Sequence, residues 1–212
     1  MIAVLTGDLV NSSKMSTTTY SQVVDHLNDL LQDSQKKYQA SGEIYRGDEF
    51  QIHYPEPIDA LKSTLLIKLA LHIAQYVDKP IQCTLSLAYG SYENYKNKPN
   101  TSSGPVYIAS GRMLAKTPKG DLSLSVEQTA SAAQLTLLTT FLSHLINKLT
   151  KTQASLLYQY IESDFTEHRK LAKITNTSRQ NISNRLANIG GHLVRDYMQF
   201  IHQEVLQFKE FK

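Results

Sequence analysis

At 212 residues, with 41% hydrophobic residues and a formal net charge of +3, the chain can fill one good-sized domain, or a medium domain with a small appendage. Its single cysteine, Cys83, excludes a disulfide framework and a cysteine-based metal site, and on its apolar run it reads as a buried small residue. No apolar run approaches the ~20 residues of a membrane helix, and no basic prelude precedes the first apolar strand, so a soluble cytoplasmic protein without a membrane partner is expected.

Met1 to Leu5 is nearly all apolar and predicts a buried strand that ends in Thr6-Gly7-Asp8. A carboxylate beside glycine at the end of such a strand stands where a ligand can meet it. Leu9, Val10, Asn11, Ser12 and Ser13 then form a turn rich in backbone donors and hydroxyls, and Ser16 or Thr17 caps a helix to about Tyr38. Along that helix Val23, Val24, Leu27, Leu30 and Leu31 recur at three and four and mark one packing face. Strand, polar loop and helix start is an arrangement in which backbone N–H groups hold phosphate oxygens, although many such turns bind nothing.

Gly42 to His53, GEIYRGDEFQIH, predicts a tight hairpin or bulged strand junction with Arg46-Gly47 at its bend. Asp48 and Glu49 follow the glycine, and because neighbouring strand side chains alternate, only one of the two is expected to face a given site. Asp8 and Asp48 are the leading pair, against the plainer reading that both merely cap turns. Pro55-Glu56-Pro57 stops the hairpin, a second helix spans about Ile58 to Tyr76, and Ile81 to Gly90 is an alternating strand. The order β-α-β-β-α-β predicts an α+β fold, ferredoxin-like or palm-type, with an antiparallel sheet covered by helices.

Glu93 to Ser103 reads as an exposed loop, Val106 to Lys116 as a short helix, Leu122 to Val126 as a strand, and Ala130 to Leu149 as a long apolar helix leaving the first domain. The rest is helical: about 152–161, 164–174, 178–190, and a last helix from His192 to Phe211 whose stripe, Leu193 to Phe208, suits packing or dimerisation. Two short helices around Thr175-Asn176-Thr177, the second rich in Ser, Arg, Gln and Asn, form a helix-turn-helix pattern. Between Thr166 and Arg195 stand six Arg or Lys and one acid, a basic footprint that the whole-chain charge conceals. Arg179, Gln180, Asn181 and Asn184 are the candidates for base edges, and Lys170, Lys173 and Arg185 for DNA phosphates. The plainer alternative is a helical bundle used for dimerisation. The expected boundaries are a palm domain at 1–128, a connecting helix at 129–149 and a helix-turn-helix domain at 150–212.

Four segments, VLTGDLVNSS, GDEFQ, LSLAYG and GPVYIASGRML, together resemble the SatD family, small bacterial proteins with a C-terminal helix-turn-helix. More distantly, residues 1–126 resemble class III nucleotidyl cyclase and GGDEF diguanylate cyclase domains. The cyclase resemblance implies a palm in which Asp8 and Asp48, with Glu49 beside them, hold Mg²⁺ or Mn²⁺ over a nucleoside triphosphate. It also implies that the turn from Leu9 to Ser13 meets the phosphates, together with Arg112. Two departures stand out: Ile108 occupies the position where class III cyclases carry an asparagine, four residues before the arginine, and Gly47-Asp48-Glu49-Phe50 lacks the first glycine of GGDEF.

The leading expectation is a DNA-binding transcriptional regulator, a homodimer on double-stranded DNA, whose palm binds a nucleotide or related phosphate compound with Mg²⁺ or Mn²⁺. The alternative is a Mg²⁺- or Mn²⁺-dependent nucleotidyl cyclase or nucleotidyltransferase.

Overall fold

The computed structural model describes residues 1–45 and 47–210, with side chains to residue 207. Arg46, the side chain of Phe208 and the expected helix end at Phe211 lie outside the described residues. In chain order the elements are β1 (Ile2–Leu9), α1 (Thr17–Tyr38), β2 (Ser41–Tyr45), β3 (Glu49–Tyr54), α2 (Ala60–Ile73), β4 (Cys83–Gly90), α3 (Pro105–Leu114) and β5 (Leu122–Val126). They are followed by α4 (Ala132–Asn147), α5 (Lys151–Glu162), α6 (His168–Ile174), α7 (Arg179–Asn188) and α8 (Gly191–Glu210). Single 3₁₀ turns at Ser12–Lys14, Pro57–Asp59 and Pro99–Thr101 punctuate the connections.

The sheet has the order β2-β3-β1-β4-β5. β1 lies at its centre, antiparallel to β3 on one side and to β4 on the other. The all-antiparallel expectation fails at the last strand, because β5 pairs parallel with β4. The connection explains it: α3 carries the chain back along the sheet, and a helical crossover is what a parallel pair requires.

Strand alternation divides the packing. Ala3, Leu5 and Leu9 face α1 and α2 and join Phe50, Ile52, Leu85 and Leu87 in the main core. Ile2 and Val4 face the other way, onto Val106 and Tyr107 of α3. The main core is continuous from the sheet through α5, α7 and α8, with Leu157, Ile182, Val194 and Ile201 buried in the same cluster as Leu5.

Local signals set most helix ends. The Ser16 hydroxyl accepts from the Thr19 amide at 3.1 Å and starts α1, and Thr150 with Gln153 makes a capping box at the head of α5. The helix expected from Asp164 is cut to seven residues in α6, since Asp164 and Phe165 both take left-handed backbone angles (φ 52° and 56°). No helix among the described residues is long and apolar enough to cross a membrane.

Two glycines are required by geometry. Gly47 turns the β2–β3 hairpin at φ +83°, against the Tyr20 hydroxyl. Gly7, inside β1, lets the Phe50 ring lie against the strand: a Cβ there would meet Phe50 Cε1 at 2.6 Å and Leu85 Cδ2 at 2.8 Å. Phe50 and Leu85 are fully buried and cannot retreat. Gly7→Ala is therefore expected to cost about 1–3 kcal/mol, read as a lower urea midpoint with an unchanged slope; an unaltered midpoint would show that the Phe50 ring repacks freely.

Candidate functional site at the end of the central strand

β1 continues through Asp8 to Leu9, so Asp8 lies within the ladder, and register decides its neighbours. Asp8 stands opposite Glu49 on β3 and opposite Thr84 on β4, and directly opposed residues project from the same face. Asp48 lies in the hairpin turn just before β3, so strand alternation does not apply to it. The charges of both Asp48 and Glu49 act on Asp8.

The turn is fastened to β1 and to the following loop. The Asp48 carbonyl accepts from the Leu9 amide at 3.1 Å. One Asp48 carboxylate oxygen accepts from the Ser12 hydroxyl at 2.6 Å, and a left-handed Asn11 (φ 59°) brings that serine round. The Leu9 and Val10 amides are committed to Asp48 and Gln82. Of the five residues expected to meet phosphates, Asn11, Ser12 and Ser13 thus keep amides that are not committed to the sheet.

Burial first, and then the charges of Asp48 and Glu49, raise the Asp8 pKa above the ordinary carboxylate range, while Lys119 opposes them. The charges of Asp48 and Glu49 thus both bear on Asp8, and that of Lys119 counters them. Lys119 was not foreseen; in the sequence it is one residue of the Thr117–Asp121 turn, and only folding brings that turn beside β1. Its position is fixed from below by Lys68, another residue with no motif around it. Lys68 is the buried cation of the apolar α2, and its ammonium donates to the carbonyls of Gly120 at 2.6 Å and Cys83 at 3.3 Å. The Gly120 amide donates in turn to the Thr84 hydroxyl at 3.0 Å. Burial pulls the Lys68 pKa down.

One step further from the acids, Thr6 shares a 2.6 Å hydrogen bond with Ser110 and accepts from the Gln51 amide nitrogen at 3.0 Å. Ser86 and Ser110 each donate to the other's carbonyl, at 2.7 and 3.0 Å. These bonds hold α3 on the face that carries Asp8. Arg112 is exposed on the last turn of α3, and Ile108, one turn earlier, is 53% exposed. Further along the same face His53 stacks on Tyr95 and bonds the Tyr107 hydroxyl at 2.8 Å; burial pushes its pKa down to about 4 and keeps it neutral.

The residues expected to touch DNA lie elsewhere. Lys170 and Lys173 are exposed on α6, and Arg179, Gln180, Asn181 and Asn184 are exposed on α7. Arg185 is half-buried and lines a cleft of about 430 Å³ with Lys151, Gln159 and Thr175.

No family model matches the sequence, and no curated protein does; the SatD resemblance rests on its four segments alone. Solved structures resemble the chain at low identity. The adenylyl cyclase CyaB from P. aeruginosa is 13% identical, with 63% of this chain and 80% of that one covered and a TM-score of 0.47. The guanylyl cyclase Cya2 is 16% identical over 58% and 74%, with a TM-score of 0.45. The guanylate cyclase domain of RhGC from Catenaria anguillulae, solved in complex with GTP, is 16% identical over 58% and 77%, with a TM-score of 0.44. The leading expectation of a DNA-binding transcriptional regulator is corrected: the solved structures that resemble the chain are cyclase domains. The helices meant to carry that role are built into the same core as the sheet, and Arg185 is turned into a cleft.

The electrostatics of Asp8 have a signed consequence for stability. Its folded pKa lies above its unfolded one, so ionisation opposes folding: stability is lost as pH rises from the unfolded pKa through the folded one, and the deficit persists at neutral pH. Asp8→Asn is expected to melt higher than the native chain at pH 7, with the gap narrowing as the pH falls towards 3. Scanning calorimetry at both values checks it; a variant that melts lower at pH 7 would show that the Asp8 charge stabilises the fold.

Proposed function

We propose that the chain is a divalent-cation-dependent enzyme acting on a nucleoside triphosphate, of the nucleotidyl cyclase or nucleotidyltransferase kind. The observation that supports it is the meeting of Asp8, Asp48 and Glu49 at the open end of a buried strand, where burial and mutual repulsion hold Asp8 above its ordinary pKa. Such an arrangement costs stability and suits a cationic ligand.

The donor set fits Mg²⁺ or Mn²⁺ shared with a substrate. Among the described residues no three or more His, Cys, Asp or Glu are grouped to hold an ion by themselves. Mg²⁺ is commonly held by one or two carboxylates together with substrate phosphates, so the pair Asp8 and Asp48, flanked by Glu49, suffices. A bound cation supplies charge stabilisation at phosphoryl oxygens.

The other roles belong to the chain itself. Ser12 fixes the rotamer of Asp48 through its 2.6 Å hydrogen bond. The amides of Asn11, Ser12 and Ser13 meet phosphate oxygens, and Lys119, held in place through the Lys68 bonds to the neighbouring Gly120, adds a positive charge beside them. Arg112 extends from α3 to the same anionic group. Ile108 offers no hydrogen bond to charge that develops in the transition state, so slow turnover is expected.

Product analysis by chromatography, after incubation with each nucleoside triphosphate and Mg²⁺ or Mn²⁺, tests the proposal. A new nucleotide species is expected from the native chain, reduced at least about 100-fold in Asp48→Asn, the scale of losing one group that orders the transition-state charge. Ile108→Asn is expected to raise the rate. Absence of turnover with every triphosphate and both metals, for the native chain and for Ile108→Asn alike, would overturn the reading.

A further inference from the structure

The outer face formed by α4 and α8 is unlike the rest of the surface. α4, AAQLTLLTTFLSHLIN, contains no Asp, Glu, Lys or Arg over 16 residues. Its inner side is committed to the core through Leu135, Leu142 and Ile146. Its outer side is also apolar: Leu137 is 57% exposed, Leu138 40% and Phe141 63%. α8 lies antiparallel beside it. The Thr139 hydroxyl meets the Tyr197 hydroxyl at 2.7 Å, and Glu204, near the end of α8, accepts from Thr129 at 2.7 Å just ahead of α4. α8 adds Leu193, 55% exposed, to the same face. Between the two helices runs a groove of about 550 Å³ whose walls include Leu138, Phe141, Leu145, Leu193, Tyr197 and Phe200.

We propose that this face is the contact between two copies of the chain, related by a two-fold axis and forming a four-helix interface of α4 and α8 from each. Three features favour a second copy as the occupant. A two-fold contact uses one patch twice and so must be self-complementary. This patch holds both a projecting ring, Phe141, and a groove whose lining is apolar apart from Asp196 and the Tyr197 hydroxyl, so each copy can seat its Phe141 in the other's groove. The area also matches. At roughly 200 Å² for each large side chain fully exposed, the four exposed residues present about 400 Å² of largely apolar surface. A standard interface buries about 800 Å² per partner, of which about 65% is apolar in homodimers, so the patch supplies most of the apolar centre and the surrounding Thr, Gln and His side chains the rim. Finally, depletion of charge marks the centre of protein interfaces, and α4 has none.

The contact is independent of the nucleotide site, and either can stand without the other. Sedimentation velocity of the native chain at 1–50 µM, as an order of magnitude for a stable interface of this size, is expected to show a dimer. Phe141→Asp and Leu193→Asp are expected to sediment as monomers, with dissociation at least about 100-fold easier, and to keep the native helix content by circular dichroism because both positions are exposed in each copy. Ile174→Asp, at a residue 67% exposed but outside the patch, is expected to remain a dimer. As a second readout, Leu138→Cys places one accessible thiol on each copy, since the native Cys83 is buried, and mild oxidation is expected to cross-link it. A native monomer across the whole range, a dimer that survives both patch substitutions, or a monomer that instead sediments with neutral phospholipid vesicles would overturn the proposal.

Discussion

β1 carries the load on which everything else rests. It gives its backbone hydrogen bonds to β3 on one side and β4 on the other, and its residues are buried on both faces from Ile2 to Gly7. A strand enclosed in this way tolerates no charge along its length, because an unpaired carboxylate in the core loses its hydration without recovering it. Asp8 stands at the first position where that enclosure relaxes, still in register with both neighbours and already half-open to solvent. The ladder that orders the core therefore also places Asp8 through backbone bonds, to which the Ser12 hydrogen bond adds a side-chain hold on Asp48.

The opposing charge is delivered by a longer route. Lys68 places an ammonium group within an otherwise apolar helix, and its two carbonyl acceptors come from different elements, the start of β4 and the turn before β5. Burying a cation is costly unless its hydrogen bonds are made. Here the bonds close the turn that holds Lys119 beside the acids. Core and site thus share one residue: the Lys68 bonds add to those by which Thr84, Ser143 and Asn147 hold the same turn.

Much of this was legible in the sequence wherever the signal was local. The alternation in β4, the spacing of Val23, Leu27 and Leu31, and the Ser16 cap announced their elements within a few residues of their true ends. The acids Asp8 and Asp48 were legible because glycines flank them at strand ends. What could not be read was register. Only pairing reveals that Glu49 lies opposite Asp8, and that Asp48 belongs to a turn where the rule of alternation lapses. Lys119 and Lys68 were invisible for the same reason, since Lys119 acts on Asp8 at the other end of the sheet-forming segment and Lys68 bonds Gly120, 52 positions on. The N-terminal turn of α6 is shorter than its spacing predicts because Asp164 and then Phe165 take left-handed backbone angles, which Asp tolerates but Phe rarely adopts.

The basic run from Thr166 to Arg195 shows how a true compositional signal can mislead about role. Its charges are real and largely exposed, yet exposure of charge is the ordinary state of a helical surface. What sets a surface apart is the reverse condition, an exposed helix face without charge. By that measure the informative helix of the C-terminal half is α4, whose leucines and Phe141 the sequence presents as ordinary core. Periodicity explained half of them, the inward half, and left the other half with no solvent-compatible purpose. Between the polar Gln134, Thr136, Thr140 and His144, the outward Leu137, Leu138 and Phe141 leave an apolar strip on α4 that water covers poorly. The main core covers one side of α4, and the uncovered side is therefore the strongest constraint that the fold places on its surroundings.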